Sequence, residues 1–268
     1  GSGTQINNVQ VSYGNDDAYE FFGGTVNAKN LISFAAADDD YDFDFGYVGR
    51  IQFAVALRDP NFVDAGDAGN GVECDNDGSG SNALPYTRPV LSNFTWVGPN
   101  NQPASNGTVL TNHNFNMRWR RATSFSVHNS ILMGYNRGGF SIESDTTANG
   151  YKLNTRSAFR NNLVHAVASA FRTSATTLLT GAEMEAKALA EGNTKHGSPD
   201  EIGLTDPFKL TAPNFLPKAG SPALSGAVFT GSDFSGVSFW TQVAYRGAFG
   251  ADNWMANWTS FTPQTNVY

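Results

Sequence analysis

The feature that most constrains this chain is a repeat. "NVQVSYGNDDAYEFFG" (8–23) and "NLISFAAADDDYDFDF" (30–45) superpose at an offset of 22 residues. Asn8 meets Asn30, Asp16-Asp17 meet Asp38-Asp39, and "YEF" meets "YDF". The pattern recurs at longer intervals. "SNFTWVG" (92–98), "HNSILMG" (128–134) and "RNNLVHA" (160–166) each set an Asn before a short apolar run. Each is followed by a second short run, "MRW" (117–119), "IES" (142–144) or "FRT" (171–173), and an earlier unit supplies "RIQFAVAL" (50–57) and "VEC" (72–74). Units of about 20–35 residues, each with two or three short strands broken by Gly, Asn and Asp, describe a β-solenoid, because one unit cannot bury its apolar face alone. The runs are too short for a sandwich, and the long helical crossovers of a doubly wound sheet are missing.

The sequence therefore predicts an all-β fold: a right-handed parallel β-helix of about six coils over 4–224, with one α-helix inserted near 180–192 and an aromatic cap over 225–268. The helix is read from "TGAEMEAKALAEGN", with Gly192 as its C-cap. Gly1-Ser2-Gly3 reads as a cloning remnant and carries no fold information. Trp240, Trp254, Trp258, Phe249 and Phe261 crowd the C-terminus. Terminal coils must be covered, so these rings are expected to cap the last coil rather than to form a sugar platform. Stacking also suggests a structural ladder for Asn8, Asn30, Asn93, Asn129 and Asn161, whose amides could bond between coils about 4.8 Å apart. The alternative is a turn at each, since Asn tolerates the left-handed region.

A net charge of −7, with charged residues at only 15%, argues against a nucleic-acid partner. "MRWRR" (117–121) is too short to reverse that. No apolar run reaches the length of a membrane span. The lone Cys74 excludes an internal disulfide and falls on the apolar side of "VEC", as a small buried hydrophobe. His113, His128, His165 and His196 show no metal-ligand spacing, and polar turn or core-edge roles are expected. Asn93-Phe94-Thr95, Asn106-Gly107-Thr108 and Asn257-Trp258-Thr259 match the glycosylation acceptor pattern, a weak signal.

The stretch "DDDYDFDFGY" (38–47) alternates with period two: Tyr41, Phe43 and Phe45 on one face, Asp40, Asp42 and Asp44 on the other. Aligning the second strand of every unit by its apolar-x-apolar frame puts Glu20, Asp42, Glu73, Arg118, Glu143 and Arg172 in one outer column. Alternating signs in its upper half make ordinary exposed ion pairs. Its acidic lower half is unfavourable without a counter-ion. Glu20 and Asp42 are joined there by Asp16, Asp17, Asp38, Asp39, Asp40 and Asp44. Ca²⁺ takes six to eight hard oxygens, so Asp38, Asp40, Asp42 and Asp44 lead the metal candidates, and Asp75 and Asp77 in the turn "DNDGSG" are a second set. The spacing is not that of an EF-hand. A solvated acidic face that keeps the solenoid soluble, or a catalytic carboxylate pair, are the other readings.

"VHNSILMGYNRGGFSIE" and "FRNNLVHAVASAFR" resemble coils of right-handed parallel β-helix proteins, and "LTDPFKLTAPNFLPKAGSPAL" (204–224) is similar to their closing segment. "GGTVNAKNLISFAAADDDYDFDFGYVGRIQFAVALRDP" and "YRGAFGADNWMANWTSFTP" resemble secreted β-helix proteins of Bacteroidetes, which often precede a C-terminal secretion-sorting domain. The resemblance covers residues 6–263 and implies an extracellular or outer-surface location, without implying an activity. It also suggests a piece of a longer solenoid, opening inside a coil and stopping at "TPQTNVY", where a linker to a sorting domain would begin.

Two functions follow. One is a non-catalytic module that binds a polysaccharide or cell-surface glycan, or spaces other domains, with Ca²⁺ as a structural ion. The other, drawn from β-helix lyases that the fold resembles, is a Ca²⁺-dependent polysaccharide lyase or glycoside hydrolase working in a groove beside the ladder. Asp42, Glu73 and Arg118 are then the nearest catalytic equivalents. No nucleophile or zinc motif is present. An Arg118 paired to both Glu73 and Glu143 favours the first function, and an unpaired one the second.

Overall fold

The computed structural model describes residues 1–99 and 110–265. The chain alternates between two parallel sheets. The long strands are β1 (Gln5–Ser12), β3 (Asn27–Phe34), β5 (Arg50–Leu57) and β7 (Val90–Val97). Each is followed by a short strand: β2 (Glu20–Phe22), β4 (Asp42–Asp44), β6 (Val72–Cys74) and β8 (Phe115–Trp119). In later coils the long strand splits, into β9 (Ser126–His128) with β10 (Ile131–Tyr135), and β12 (Ala158–Arg160) with β13 (Leu163–Ala166). Their short partners are β11 (Gly138–Glu143) and β14 (Phe171–Ser174), and β15 (Thr194–Lys195) adds a last rung to the long sheet. The short sheet has six strands in coil order, which makes six coils, and the fold is an all-β parallel β-helix. The interior is filled by like rings meeting in consecutive coils: Tyr19 on Tyr41 at 5.1 Å, Phe21 on Phe43 at 5.6 Å, Phe140 on Phe159 at 3.9 Å.

The strand pairings bring Asn8, Asn30, Phe53, Asn93, Asn129, Asn161 and Gly192 to one point of each successive coil. All seven have positive φ, between 54° and 84°. Each marks the bend that divides a long strand in two, a conformation that costs most residues energy and that Asn and Gly adopt readily. The five asparagines therefore stack and also serve turns. Among the described residues their amides do not bond to one another, because the bend aims them outward. The side-chain ladder runs one position later: Asn162 Oδ1 accepts from Ser130 N at 2.8 Å, and Asn193 Oδ1 accepts from Asn162 N at 2.8 Å and Asn162 Nδ2 at 2.9 Å.

Among the described residues two α-helices are present rather than one. The expected helix, α2 after α1 in chain order, spans Gly181–Ala190 and is opened by a capping box between Thr180 and Glu183. It buries Met184 and Ala188 in the core cluster and so closes the last coil. The unexpected helix, α1 (Asp145–Lys152, "DTTANGYK"), has poor helix formers and no apolar stripe. Packing holds it: Tyr151 lies among Phe125 and Phe140, at 5.7 and 5.5 Å.

The C-terminal third departs from expectation. Coils do not continue to residue 224. Parallel rungs end at Lys195, and β16 (Leu204–Asp206) pairs antiparallel with β17 (Asn214–Pro217). Pro207, Pro213, Pro217 and Pro222 lack the N–H a further parallel rung needs. From there the chain runs back along the outside of the long sheet. Val228 exchanges two bonds with the amide of Asn129, at 2.8 and 3.1 Å. Thr241 does the same with Gln52 at 2.9 and 2.8 Å, and Ser260 with Gln10 at 3.0 and 2.6 Å. The aromatic residues thus cover a flank and not the last coil. Phe249, Trp254, Trp258 and Phe261 pack on Ile32, Phe34, Val55, Leu57, Val97 and Ile131, while Trp240 covers Val90. The physical reason lies in the long strands, which carry apolar side chains on both faces; all eight residues of β7 are buried. Among the described residues no helix is long and apolar enough to cross a membrane.

Candidate functional site

The short sheet carries the charges. Register places Glu20 opposite Asp42, Asp42 opposite Glu73, and Glu73 opposite Arg118. Above Arg118 the column continues through Ser141 and Arg172, not Glu143. The inward frame of that strand is Phe140-x-Ile142, so Glu143 sits two residues along and reaches Arg118 diagonally, at 3.1 Å. Arg118 is also 3.1 Å from Glu73, so it is paired on both sides. Arg120 joins Glu73 to Asp75, at 2.8 Å from the latter, and Arg121 holds the other Asp75 oxygen at 2.7 Å. All three arginines of "MRWRR" are thus bound by carboxylates. Arg172 lies over the Phe115 ring at 4.7 Å.

The acidic candidates divide. Asp17, Glu20 and Asp42 bring carboxylate oxygens within 4.8 Å of one another, and Asp16, Asp17 and Asp38 form a second group through the shared Asp17. Burial, then like-charge neighbours, pushes Asp42 up to about 8. Burial raises Asp17 to about 7 and Asp38 to about 6, with further push from adjacent carboxylates. Asp16, Asp17 and Glu20 come from the first coil, and the repeat alignment that paired Asp16-Asp17 with Asp38-Asp39 was the signal for two of them.

The other proposed ligands do not converge there. Asp40 turns inward, against the period-two expectation, because the strand begins only at Asp42. Its oxygens take Arg58 Nε at 2.9 Å, Ser33 Oγ at 2.6 Å and Tyr135 OH at 3.0 Å. Phe45, expected inward, is exposed, because φ of 48° turns the chain there. Asp44 accepts from Phe45 N at 2.7 Å. In the "DNDGSG" turn the two carboxylates point apart: Asp75 faces the arginines, and Asp77 accepts from Ser79 N at 2.9 Å and Ser81 N at 3.0 Å within its own turn.

Other sequence candidates find ordinary partners. His165 Nδ1 accepts from Gly134 N at 3.2 Å, and Cys74 is buried 3.0 Å from Thr123 Oγ1. Asn93 is buried and donates to Tyr245 O at 3.0 Å, which leaves it inaccessible as a glycan acceptor; Asn257 is exposed, and the Asn106 pattern lies outside the described residues.

One feature was not legible in the sequence. Phe22 and Phe45 follow each other in successive coils, with ring centroids 5.4 Å apart, and are 61% and 57% exposed. Beside them opens a hollow of about 500 Å³ lined by Phe45, Asn76, Asp77, Ser79, Leu84 and Pro85.

A family model described as a pectate-lyase-like β-helix domain matches residues 1–204. Neither the curated proteins nor the solved structures contain a match.

Proposed function

The chain belongs to the pectate-lyase-like β-helix domain family, and from that premise we propose that it is a non-catalytic carbohydrate-binding module, secreted or held at the outer cell surface. The observation that carries this reading is the exposed ring pair of Phe22 and Phe45 beside a polar hollow. The apolar face of a pyranose stacks on such rings, and desolvating them contributes about 25 cal/mol per Å² of apolar area. Ser79, exposed in its turn, and the carboxylate of Asp77 beside it supply hydroxyl partners, while Asn76 is buried and holds the turn through Ser81 O and Ala83 O. The location follows the resemblance to exported β-helix proteins.

The lyase reading has less support. Arg118, its only candidate base, is occupied by Glu73 and Glu143. The acidic end of the column fits a structural Ca²⁺: Asp17, Glu20 and Asp42 are hard oxygen donors within reach of one ion, in a site whose burial opposes their charge. Backbone carbonyls and water complete such a shell in general, and no chemistry is assigned to it.

A glycan array followed by calorimetry tests the proposal. Phe22→Ala with Phe45→Ala should reduce binding of neutral oligosaccharides by about tenfold or more, with melting little changed because both rings are exposed. Retained binding in that double variant, or bond cleavage in any glycan tested, overturns it.

A further inference from the structure

The outward side chains of the first half of each long strand form their own column: Asn7, Lys29, Gln52, Ser92, His128 and Arg160. The returning C-terminal segment covers the middle of it, through Thr241 at Gln52 and Val228 at the neighbouring Asn129. It stops short of the last rung. There two adjoining cavities open, of 290 and 400 Å³, sharing His128, Arg160 and Thr230. They lie on the long sheet, away from the strands that carry the acidic column.

The charges in these cavities do not cancel. Arg88 is bidentate to Asp233, at 2.9 Å twice, and Asp233 also accepts from Ser126 Oγ at 2.6 Å. Glu191 is matched by Lys187 at 2.8 Å. Arg156 stacks on Tyr86 at 3.9 Å and donates to Thr146 O at 3.2 Å, with no carboxylate partner among the described residues. Arg160 is exposed and likewise has no carboxylate partner there. Two guanidinium charges therefore line a concave, polar surface on a chain of net charge −7. Beyond a Debye length of about 8 Å the distant acidic face is screened, so the local positive charge decides what enters. Guanidinium groups present planar donor forks that match the oxygens of carboxylate and sulfate.

We propose that the cavities around Arg160 and Arg156 bind an oxyanion of an acidic saccharide, a sulfate ester or a uronate carboxylate. The saccharide part of this rests on the carbohydrate-binding reading above; the oxyanion part does not. It adds a second contact, separated from the Phe45 hollow by Tyr86, that selects charged chains over neutral ones.

The test uses the full chain, its Arg160→Gln variant and its Arg160→Lys variant. Each is titrated calorimetrically with a chondroitin sulfate tetrasaccharide, a tetragalacturonate and cellotetraose, and melted with and without sodium sulfate. Charge-assisted hydrogen bonds contribute about 1.5–3 kcal/mol, so Arg160→Gln should weaken the acidic ligands about tenfold or more. Arg160→Lys should recover part of that, cellotetraose should be unaffected, and added salt should weaken only the acidic ligands. Tighter binding of one acidic tetrasaccharide identifies the source of the oxyanion. Acidic ligands that bind the parent and Arg160→Gln equally, or that do not bind while cellotetraose does, overturn the site and leave the carbohydrate reading standing. If no saccharide binds but sulfate raises the melting temperature of the parent and not of Arg160→Gln, the oxyanion site stands and the carbohydrate reading falls. If sulfate and every saccharide are without effect, both fall.

Discussion

Arg58 donates Nε to Asp40 across 2.9 Å, and solvent reaches neither side chain. The pair sits inside the β-helix, with Arg58 also donating to Ala36 O at 3.0 Å and to Asn70 O, and Tyr135 OH donating to Asp40. It ties the loop after β5 to the start of β4. Removing one partner leaves a buried charge without its counterpart, which is costly even where the intact pair adds little net stability. Asp40→Ala is expected to lower unfolding free energy by about 3–5 kcal/mol. Urea denaturation checks this; a loss under about 1 kcal/mol would show that the interior accommodates Arg58 alone.

The acidic cluster should make stability depend on pH in an unusual direction. Asp42, Asp17 and Asp38 have folded values of about 8, 7 and 6, above their unfolded values near 4. Between those limits the folded chain binds more protons than the unfolded one, so ionisation weakens the fold. The contribution is complete below about pH 4, is lost progressively as pH rises above that, and is gone once pH passes the highest folded value, about 8. A tenfold difference in proton affinity between folded and unfolded chain corresponds to about 1.4 kcal/mol, reduced at partly exposed groups by solvent. Melting temperature without divalent ions should therefore fall between pH 5 and 8, and Ca²⁺ should restore it at pH 8. Asp42→Asn should flatten both responses. Magnesium should substitute poorly, because it requires tight octahedral geometry. Melting that is indifferent to both pH and calcium over this range would leave the carboxylates as a hydrated acidic face.

Asn129 joins the bend of the coil to the returning C-terminal segment, through Val228 and through Gly247 N, which donates to the Asn129 carbonyl at 2.7 Å. Asn129→Gly keeps the left-handed backbone and deletes the amide; Asn129→Ala deletes the amide and adds backbone strain of about 1–2 kcal/mol. Limited proteolysis of both variants should cut within 225–262 earlier than in the parent, with coils 5–195 intact. The alanine variant should melt lower than the glycine one. Equal resistance to protease in all three proteins would mean that the aromatic contacts alone hold the segment.

The sequence by itself determined the repeat, and through it the parallel stack, the six coils and most of the register. Period-two frames such as "YEF", "YDF" and "VEC" are local, and stacking turns local alternation into a column, so Glu20, Asp42, Glu73 and Arg118 could be aligned without coordinates. It also marked the αL positions, because Asn is one of few residues that take them at small cost. The frame failed at one strand: "IES" sets a charge at the centre, but "FSI" is the stricter apolar-x-apolar match, and the facing coil pairs Ser141 with Arg118.

Tertiary structure decided the rest, because it concerned groups whose partners are remote in sequence. Asp40 and Asp42 look alike in "DDDYDFDF", yet Arg58 and Tyr135 draw one inward while the pleat turns the other out. Phe45 reads as a core residue until the turn there exposes it beside Phe22, which shares the outer face of Glu20. Arg156 and Arg160 look like any surface arginines until the returning C-terminal segment begins its run beside them. The aromatic C-terminus is apolar enough to cover something, and hydrophobic burial is non-directional, so the sequence alone does not say what. In the tertiary structure α2 closes the last coil, and the C-terminal rings cluster with the outer apolar side chains of the long sheet.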